Sequence, residues 1–264
     1  MAFETPITSW ILEHKDYLRP EMVEYSWAKD FGLDIFDVQT KIYWSNRTFV
    51  GRGAANSLRL AIEKSCAETL ERLACFHNGI SSIGVAAHSN RQAAEAHAMS
   101  EALERELLCT YMNNKISPIE MNIPEEHSPK YNLPVGTTSR RFHLSNQNDN
   151  SCLSIFKLED QYFLGLSIAE EKFEAIHKAD LESLRNLAAF HSNKNDFKSQ
   201  ITKNSDLWCC DNQIIKTIME GHAEESVFPD SDNWRTTYLA FPNDAIFYSA
   251  PVHIAFVKKE DKSK

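Results

Sequence analysis

The chain has 264 residues, 42% of them hydrophobic and 25% charged, with a formal net charge of -9. That length supports one sizeable core or two small ones, and the acidic balance argues against a broad nucleic-acid-binding face, which works by displacing counterions with clustered Lys and Arg. No stretch approaches the roughly eighteen apolar residues of a membrane helix, and MAFETPITSW lacks the basic start and apolar core of a secretory signal, so neither membrane nor nucleic acid is an expected partner and the expected address is cytoplasmic.

Residues 8–30 read as a helical region with Trp10, Ile11, Leu18, Met22, Val23 and Trp27 as its apolar members. Alternation in LDIFDVQTKIYWS and RTFVGRG predicts two strands, and Asn56 or Ser57 is a good N-cap for a helix over about Leu58–Phe76 that Asn78-Gly79 ends. ISSIGVAAHS predicts a strand and a small-residue turn, and Asn90 precedes a helix running to about Met112. Residues 114–150 are polar and bear prolines, which predicts a loop with little regular structure. SCLSIFKL and QYFLGLSIA then predict a hairpin, and AEEKFEAIHKADLESLRNLAAF a helix. A strand, a small-residue turn and an acidic helix thus recur three times. After a polar stretch at 192–206 come a short helix near NQIIKTIMEGH and strands in TTYLAF and AIFYSAPVHIAFV. The tail KKEDKSK is expected to be disordered.

The six cysteines, Cys66, Cys75, Cys109, Cys152, Cys209 and Cys210, have no C-x-x-C spacing and read as reduced, mostly core thiols, with Cys209–Cys210 packing beside Trp208. The chemistry sits elsewhere. Glu68-x-x-Glu71-Arg72 reappears as Glu101-x-x-Glu104-Arg105, and each triplet shares one helix face. Such spacings also occur as ordinary surface ion pairs on helices of unrelated proteins, so this reading stands beside the functional one. Against it, both helices are alanine-rich and both follow turns of small or polar residues, GRGAANS and GVAAHSN, while a third helix adds Glu182 with Arg185 at i+3. Carboxylates gathered in this way repel one another and a polyphosphate unless divalent cations lie between them. Mg²⁺ prefers oxygen ligands, and arginines suit phosphate oxygens, so the pattern describes a Mg–nucleotide site that owes nothing to a Walker loop.

GRGAANSLRLAIEKSCAETLERL, IGVAAHSNRQAAEAHAMSEALERELL and FLGLSIAEEKFEAIHKADLESLRNL resemble, in order, the three signatures of the YcaO-domain family, over roughly residues 47–190. The resemblance implies an α/β (α+β) fold of repeated strand–turn–helix units, with helices packed on a mixed or antiparallel sheet. It implies a single domain over 1–264, with an N-terminal helical and strand region (1–46), core repeats (47–190), a C-terminal element (191–257) and the disordered tail (258–264). The implied activity is ATP-dependent activation of a peptide backbone amide, for azoline-forming cyclodehydration or thioamidation in maturation of a ribosomally made peptide. ATP and Mg²⁺ are the implied cofactors, with Glu68, Glu71, Glu101, Glu104 and Glu182 as Mg²⁺ ligands. Arg72 and Arg105 would face phosphates or brace the carboxylates, and Lys64, at the position of the first signature's serine, and Ser65, one place later, would join them in binding the cofactor. No catalytic acid–base residue is implied. A precursor peptide, a peptide-recognition protein and a second copy of the chain are the expected partners. Arg185 in place of a glutamine, a short link over 77–89 and an end in VKKEDKSK where cyclodehydratases carry prolines lead to the alternative expectation of a non-catalytic YcaO-like subunit serving as scaffold.

Overall fold

Arg19 takes a left-handed conformation (φ 45) immediately before Pro20, and the chain cannot continue as a helix there. In the computed structural model, which describes residues 5–114, 119–124, 128–143, 150–192, 212, 215–216 and 234–259, the expected N-terminal helical region is accordingly broken. It forms α1 (Pro6–Glu13), α2 (Lys15–Leu18), β1 (Glu21–Tyr25) and α3 (Trp27–Asp30). Strand β1 is largely exposed and is held by its antiparallel ladder to β2 (Phe36–Trp44), with Glu21 opposite Lys41 and Tyr25 opposite Asp37.

The chain divides into two compact units, Met1–Ala102 with Ser231–Lys264, and Leu103–Asp230. In the first, β2 and β3 (Arg47–Ala55) form a hairpin closed by Ser45 and Asn46, both at positive φ, the turn whose twist matches that of the strands. Helix α4 (Leu58–Asn78) follows at once, with Ser57 accepting from the Leu60 amide at its start and Gly79 (φ 66) ending it. Its apolar stripe, Cys66, Leu70, Leu73 and Ala74, packs with Ile7, Trp10, Ile11 and Ile42 into the main core of this unit.

A second sheet of the unit has the order β4-β10-β9, all antiparallel, from β4 (Val85–His88), β9 (Trp234–Tyr238) and β10 (His253–Lys259). A 3₁₀ turn over Ala245–Ser249 replaces the first part of the expected C-terminal strand, and Lys258 and Lys259, read as the start of a tail, close β10. Helix α5 (Arg91–Asn114), started by Asn90 accepting from the Ala93 amide, lays Ala94, Ala98 and Ala102 on Ala86, Ala255 and Val257 of this sheet. The division between the two units falls inside α5.

The second unit holds the sheet β5-β6-β7-β8, from β5 (Ile119–Glu120), β6 (Thr138–His143), β7 (Ser151–Leu158) and β8 (Gln161–Ile168). The first two correct the reading of 114–150 as a loop with little regular structure. Arg141 of β6 is buried against Asp180, which hides an inward strand position behind a charged residue. Helix α6 (Lys172–Ser192) covers β7 and β8. The short helix near NQIIKTIMEGH, Cys209–Cys210, most of 192–206 and residues 260–264 lie outside the described residues, apart from Asn212, Ile215 and Lys216, which are helical.

The fold class is therefore mixed α/β with helices on antiparallel sheets, and the repeat is tighter than a general theme. Helices α4 and α6 are both 21 residues long. One constant shift of 114 residues (58 to 172, 78 to 192) pairs Gly51 with Gly165, Ala61 with Ala175, Ile62 with Ile176, Lys64 with Lys178, Glu68 with Glu182, Leu70 with Leu184, Leu73 with Leu187 and Phe76 with Phe190. The third occurrence, β4 and α5, has no hairpin before its helix.

Candidate functional site

Both copies of the hairpin–helix unit bring the edge strand onto its helix at a glycine. A Cβ added at Gly51 would lie 2.3 Å from the Thr69 nitrogen and 2.4 Å from the Ser65 oxygen; one at Gly165 would lie 1.9 Å from the Ala179 oxygen. With the strand that close, the next backbone amide reaches a glutamate sixteen residues on. The Arg52 N–H donates to Glu68 Oε2 at 3.0 Å, and the Leu166 N–H donates to Glu182 Oε2 at 2.9 Å.

In the first unit the remaining oxygen of Glu68 accepts from Arg72 Nη2 at 3.2 Å, the expected i to i+4 pair, while Arg72 Nη1 donates to Ser82 Oγ at 2.5 Å. One turn along, Glu71 is buried, only 9% exposed, and its carboxylate accepts from the Ala87 amide of β4. Burial, reinforced by the carboxylates of Glu68 and Glu101, pushes the Glu71 carboxyl well above the ordinary range, with Arg72 opposing the shift. Three expected ligands of the first unit, Glu68, Glu71 and Glu101, thus share one electrostatic environment. Next to them the Cys75 thiol is pushed up to about 12, chiefly by burial, so it is not a nucleophile at neutral pH.

In the second unit Glu104 of α5 accepts from the Ile168 amide at 2.9 Å, and Arg105 Nη2 stands 4.0 Å from Glu182 Oε1. Arg105, on another helix, is therefore an ion-pair partner of Glu182. The remaining two expected positions differ in kind. Lys64 is exposed and its Nζ donates to the Ala54 carbonyl at 3.3 Å. Ser65 is fully buried, its hydroxyl hydrogen-bonded with Thr40 Oγ1 at 2.6 Å and to the Ile62 carbonyl at 2.8 Å, which makes it a helix–strand contact.

Sequence reasoning did not reach the backbone donors of Arg52, Ala87, Leu166 and Ile168, because amide positions leave no residue-type signal. The glycines at 51 and 165 are the one trace they leave. Among the described residues no three of His, Cys, Asp or Glu are grouped so as to hold a metal ion by themselves. The donor chemistry nevertheless fits Mg²⁺, which commonly takes one or two carboxylates and completes its shell with waters and nucleotide phosphates. A cation beside Glu71 would also displace a proton that burial and two neighbouring carboxylates favour.

Of the cysteines, Cys66, Cys75 and Cys152 are buried free thiols, as expected for core residues, whereas Cys109 is exposed. No helix among the described residues is long and apolar enough to cross a membrane.

No protein-family model matches the sequence, and no curated protein matches it. Solved structures do match the fold. YcaO from Methanopyrus kandleri, bound with AMPPCP and Mg²⁺, aligns over 96% of this chain and 88% of its own at 12% identity and a TM-score of 0.63. A heterocyclase in complex with substrate and cofactor aligns over 96% of this chain at 9% identity and a TM-score of 0.62, and this chain spans about half (52%) of it. A chain of the Escherichia coli microcin synthetase McbBCD complex with pro-MccB17 bound aligns over 90% of this chain and 87% of its own at 12% identity and a TM-score of 0.59. The fold is YcaO-like.

Proposed function

We propose that the protein uses ATP and Mg²⁺ to activate backbone amides of a ribosomally made precursor peptide, for azoline-forming cyclodehydration or thioamidation, together with a partner that recognises the peptide. The observation that carries this reading is Glu71, a buried carboxyl held above its ordinary range beside Glu68 and Glu101 in a YcaO-like fold. Folding such a group costs stability unless a ligand repays it, and a hard cation is the ligand its chemistry calls for. The structural neighbours, one bound with AMPPCP and Mg²⁺ and another with pro-MccB17, support the same class.

In this reading Glu68, Glu71, Glu101, Glu104 and Glu182 hold Mg²⁺. Arg72 and Arg105, each already beside one of these carboxylates, would brace them and meet phosphate oxygens, and Lys64, one turn before Glu68 on α4, would add a positive charge. When bound, Mg–ATP supplies a phosphoryl group for the amide oxygen. The chain's own task is positioning and charge stabilisation, which needs no acid–base dyad.

A second reading, a non-catalytic subunit, is favoured by a different observation. Glu68, Glu104 and Glu182 each already accept a backbone N–H, so the scaffold has a use for them without any ligand. Thermal unfolding with Mg–ATP separates the possibilities. A retained site gives about 2.7 kcal/mol of added stability at a hundred times its dissociation constant, and no shift at millimolar Mg–ATP defeats the nucleotide reading. With binding shown, supplying precursor peptide and partner and finding neither loss of water nor exchange of oxygen for sulfur assigns the chain to the scaffold role.

A further inference from the structure

We infer that Gly51 and Gly165 are positioning residues that turn Glu68 and Glu182 into one-oxygen ligands, and that this selects a small cation such as Mg²⁺ over Ca²⁺. The inference rests on the Mg–nucleotide reading above and specifies how the two copies of the hairpin–helix unit would deliver it.

Among the described residues β3 and β8 each pair with one neighbouring strand, so the amides on the outer edge of each hairpin face side chains rather than a further strand. Open edge amides must find acceptors, and here the helix packed on the strand provides them. Gly51 and Gly165 bring the strand within the reach of a side chain, because any Cβ would collide with helix backbone. The amide of the following residue then fixes Oε2 of the glutamate at the same spacing of sixteen residues in both copies. In both copies Oε1 is the oxygen turned to an arginine, Arg72 at 3.2 Å from Glu68 and Arg105 at 4.0 Å from Glu182. Two independent segments of the chain thus fix one oxygen of a carboxylate on a strand amide and leave the other facing an arginine side chain, which a phosphate could draw away from a bound cation. The Ile168 amide likewise donates to one oxygen of Glu104, Oε1, at 2.9 Å.

Cation preference follows from that division. Mg²⁺ takes near-octahedral single oxygens and keeps phosphates and waters, whereas Ca²⁺ gathers six to eight oxygens and exploits bidentate carboxylates. A carboxylate whose second oxygen is tied to a strand amide serves the first ion and not the second. Partners that orient metal ligands in this way contribute about 10- to 100-fold in affinity.

The test has two arms on the full chain. In the first, ¹⁵N-labelled wild-type protein is titrated with acid and the amides of Arg52, Leu166 and Ile168 are followed; they should move as the carboxylates take up protons and lose protection in Glu68→Ala, for Arg52, and Glu182→Ala, for Leu166, each of which removes the accepting oxygen. Static amides that exchange like an open strand edge overturn the anchoring. In the second, isothermal titration with a non-hydrolysable ATP analogue should show Mg²⁺ bound at least about 10-fold more tightly than Ca²⁺, with Gly51→Ala or Gly165→Ala narrowing the ratio. Equal affinities overturn the selectivity. Binding of neither ion defeats the nucleotide reading itself, and the first arm then still decides whether the glycines orient the glutamates. If both glycine variants fail to fold, the wild-type ratio and the wild-type amide titration carry the test.

Discussion

The two hairpin–helix units share a backbone plan and differ at its hub. In the first, Thr40 Oγ1 meets Cys66 Sγ at 3.7 Å and Ser65 Oγ at 2.6 Å, a neutral buried contact. At the equivalent positions of the second, Ser154 Oγ meets Asp180 Oδ1 at 2.5 Å, and Asp180 also takes a forked pair of bonds from Arg141 and one from the Tyr131 hydroxyl at 2.7 Å. The charge moves one turn along between the copies: where the first unit has the buried Glu71, the second has Arg185. A helix packed on a hairpin through glycine therefore tolerates different buried polar chemistry at equivalent positions. The first copy keeps excess negative charge around Glu71, and the second meets its buried Asp180 with Arg141.

The largest effect expected from breaking this comparison comes at the hub. Asp180→Ala leaves Arg141 buried without its counter-charge and should cost about 3–5 kcal/mol. Cys66→Ala at the equivalent position removes a small neutral group and should cost about 1 kcal/mol. Urea denaturation of the two variants measures the difference; equal losses would mean that the Asp180 network is not the anchor of its unit.

Next in size are the glycines. Gly165→Ala forces a Cβ to 1.9 Å from a helix carbonyl and Gly51→Ala to 2.3 Å from a helix nitrogen, so each should destabilise by about 1–3 kcal/mol or more, the former by the larger amount. Reversal of that order in thermal or urea unfolding would show that the second unit relaxes more easily than its close packing indicates.

Much of this plan is legible in the residues. The hairpins and both 21-residue helices follow from alternation, N-caps and Gly79, and the acidic theme from counting Glu spacings. Three things escape. Strand β1 is ordered by its ladder rather than by burial, so EMVEY carries no inward–outward pattern. Strand β6 hides an inward position under Arg141. The repeated step from glycine to amide to glutamate uses backbone donors, so of the candidate site the carboxylates can be read from the sequence and their orientation cannot. Ser65 shows the converse: beside the first triplet it reads as a ligand, while its burial is decided by how closely Gly51 and Gly53 bring β3 to the helix.

A pH series sharpens the electrostatic half of the comparison. Because the Glu71 carboxyl is held above its ordinary value, the folded chain retains a proton that the unfolded chain has released. The stability linked to that proton is fully present below the ordinary glutamate value and is lost as pH rises through the raised folded one. Ligand-free protein should therefore lose stability across that window, and Glu71→Gln should remove that part of the slope and be the more stable form at neutral pH. In the same variant the shift given by Mg–ATP should vanish. An unchanged pH slope would mean that Glu71 ionises without penalty, and that the charge asymmetry between the copies has no thermodynamic consequence.

The smallest expected effect is the most discriminating for function. Lys64 and Lys178 occupy the same position of the two helices; Lys178 pairs with Glu174 at 2.7 Å on an exposed face, and Lys64 reaches the Ala54 carbonyl. Exposed contacts of this kind contribute about 0.5 kcal/mol or less, so Lys64→Ala and Lys178→Ala should both leave the unfolding midpoint almost unmoved. Added Mg–ATP should then tell them apart, because only Lys64 lies on the helix that carries Glu68 and Glu71, and a phosphate near those carboxylates would draw its Nζ from the Ala54 carbonyl. A reduced Mg–ATP shift in Lys64→Ala alone supports a nucleotide at the first copy. Equal shifts in the two variants make Lys64 a solvated surface lysine like its counterpart and leave phosphate contact to the arginines.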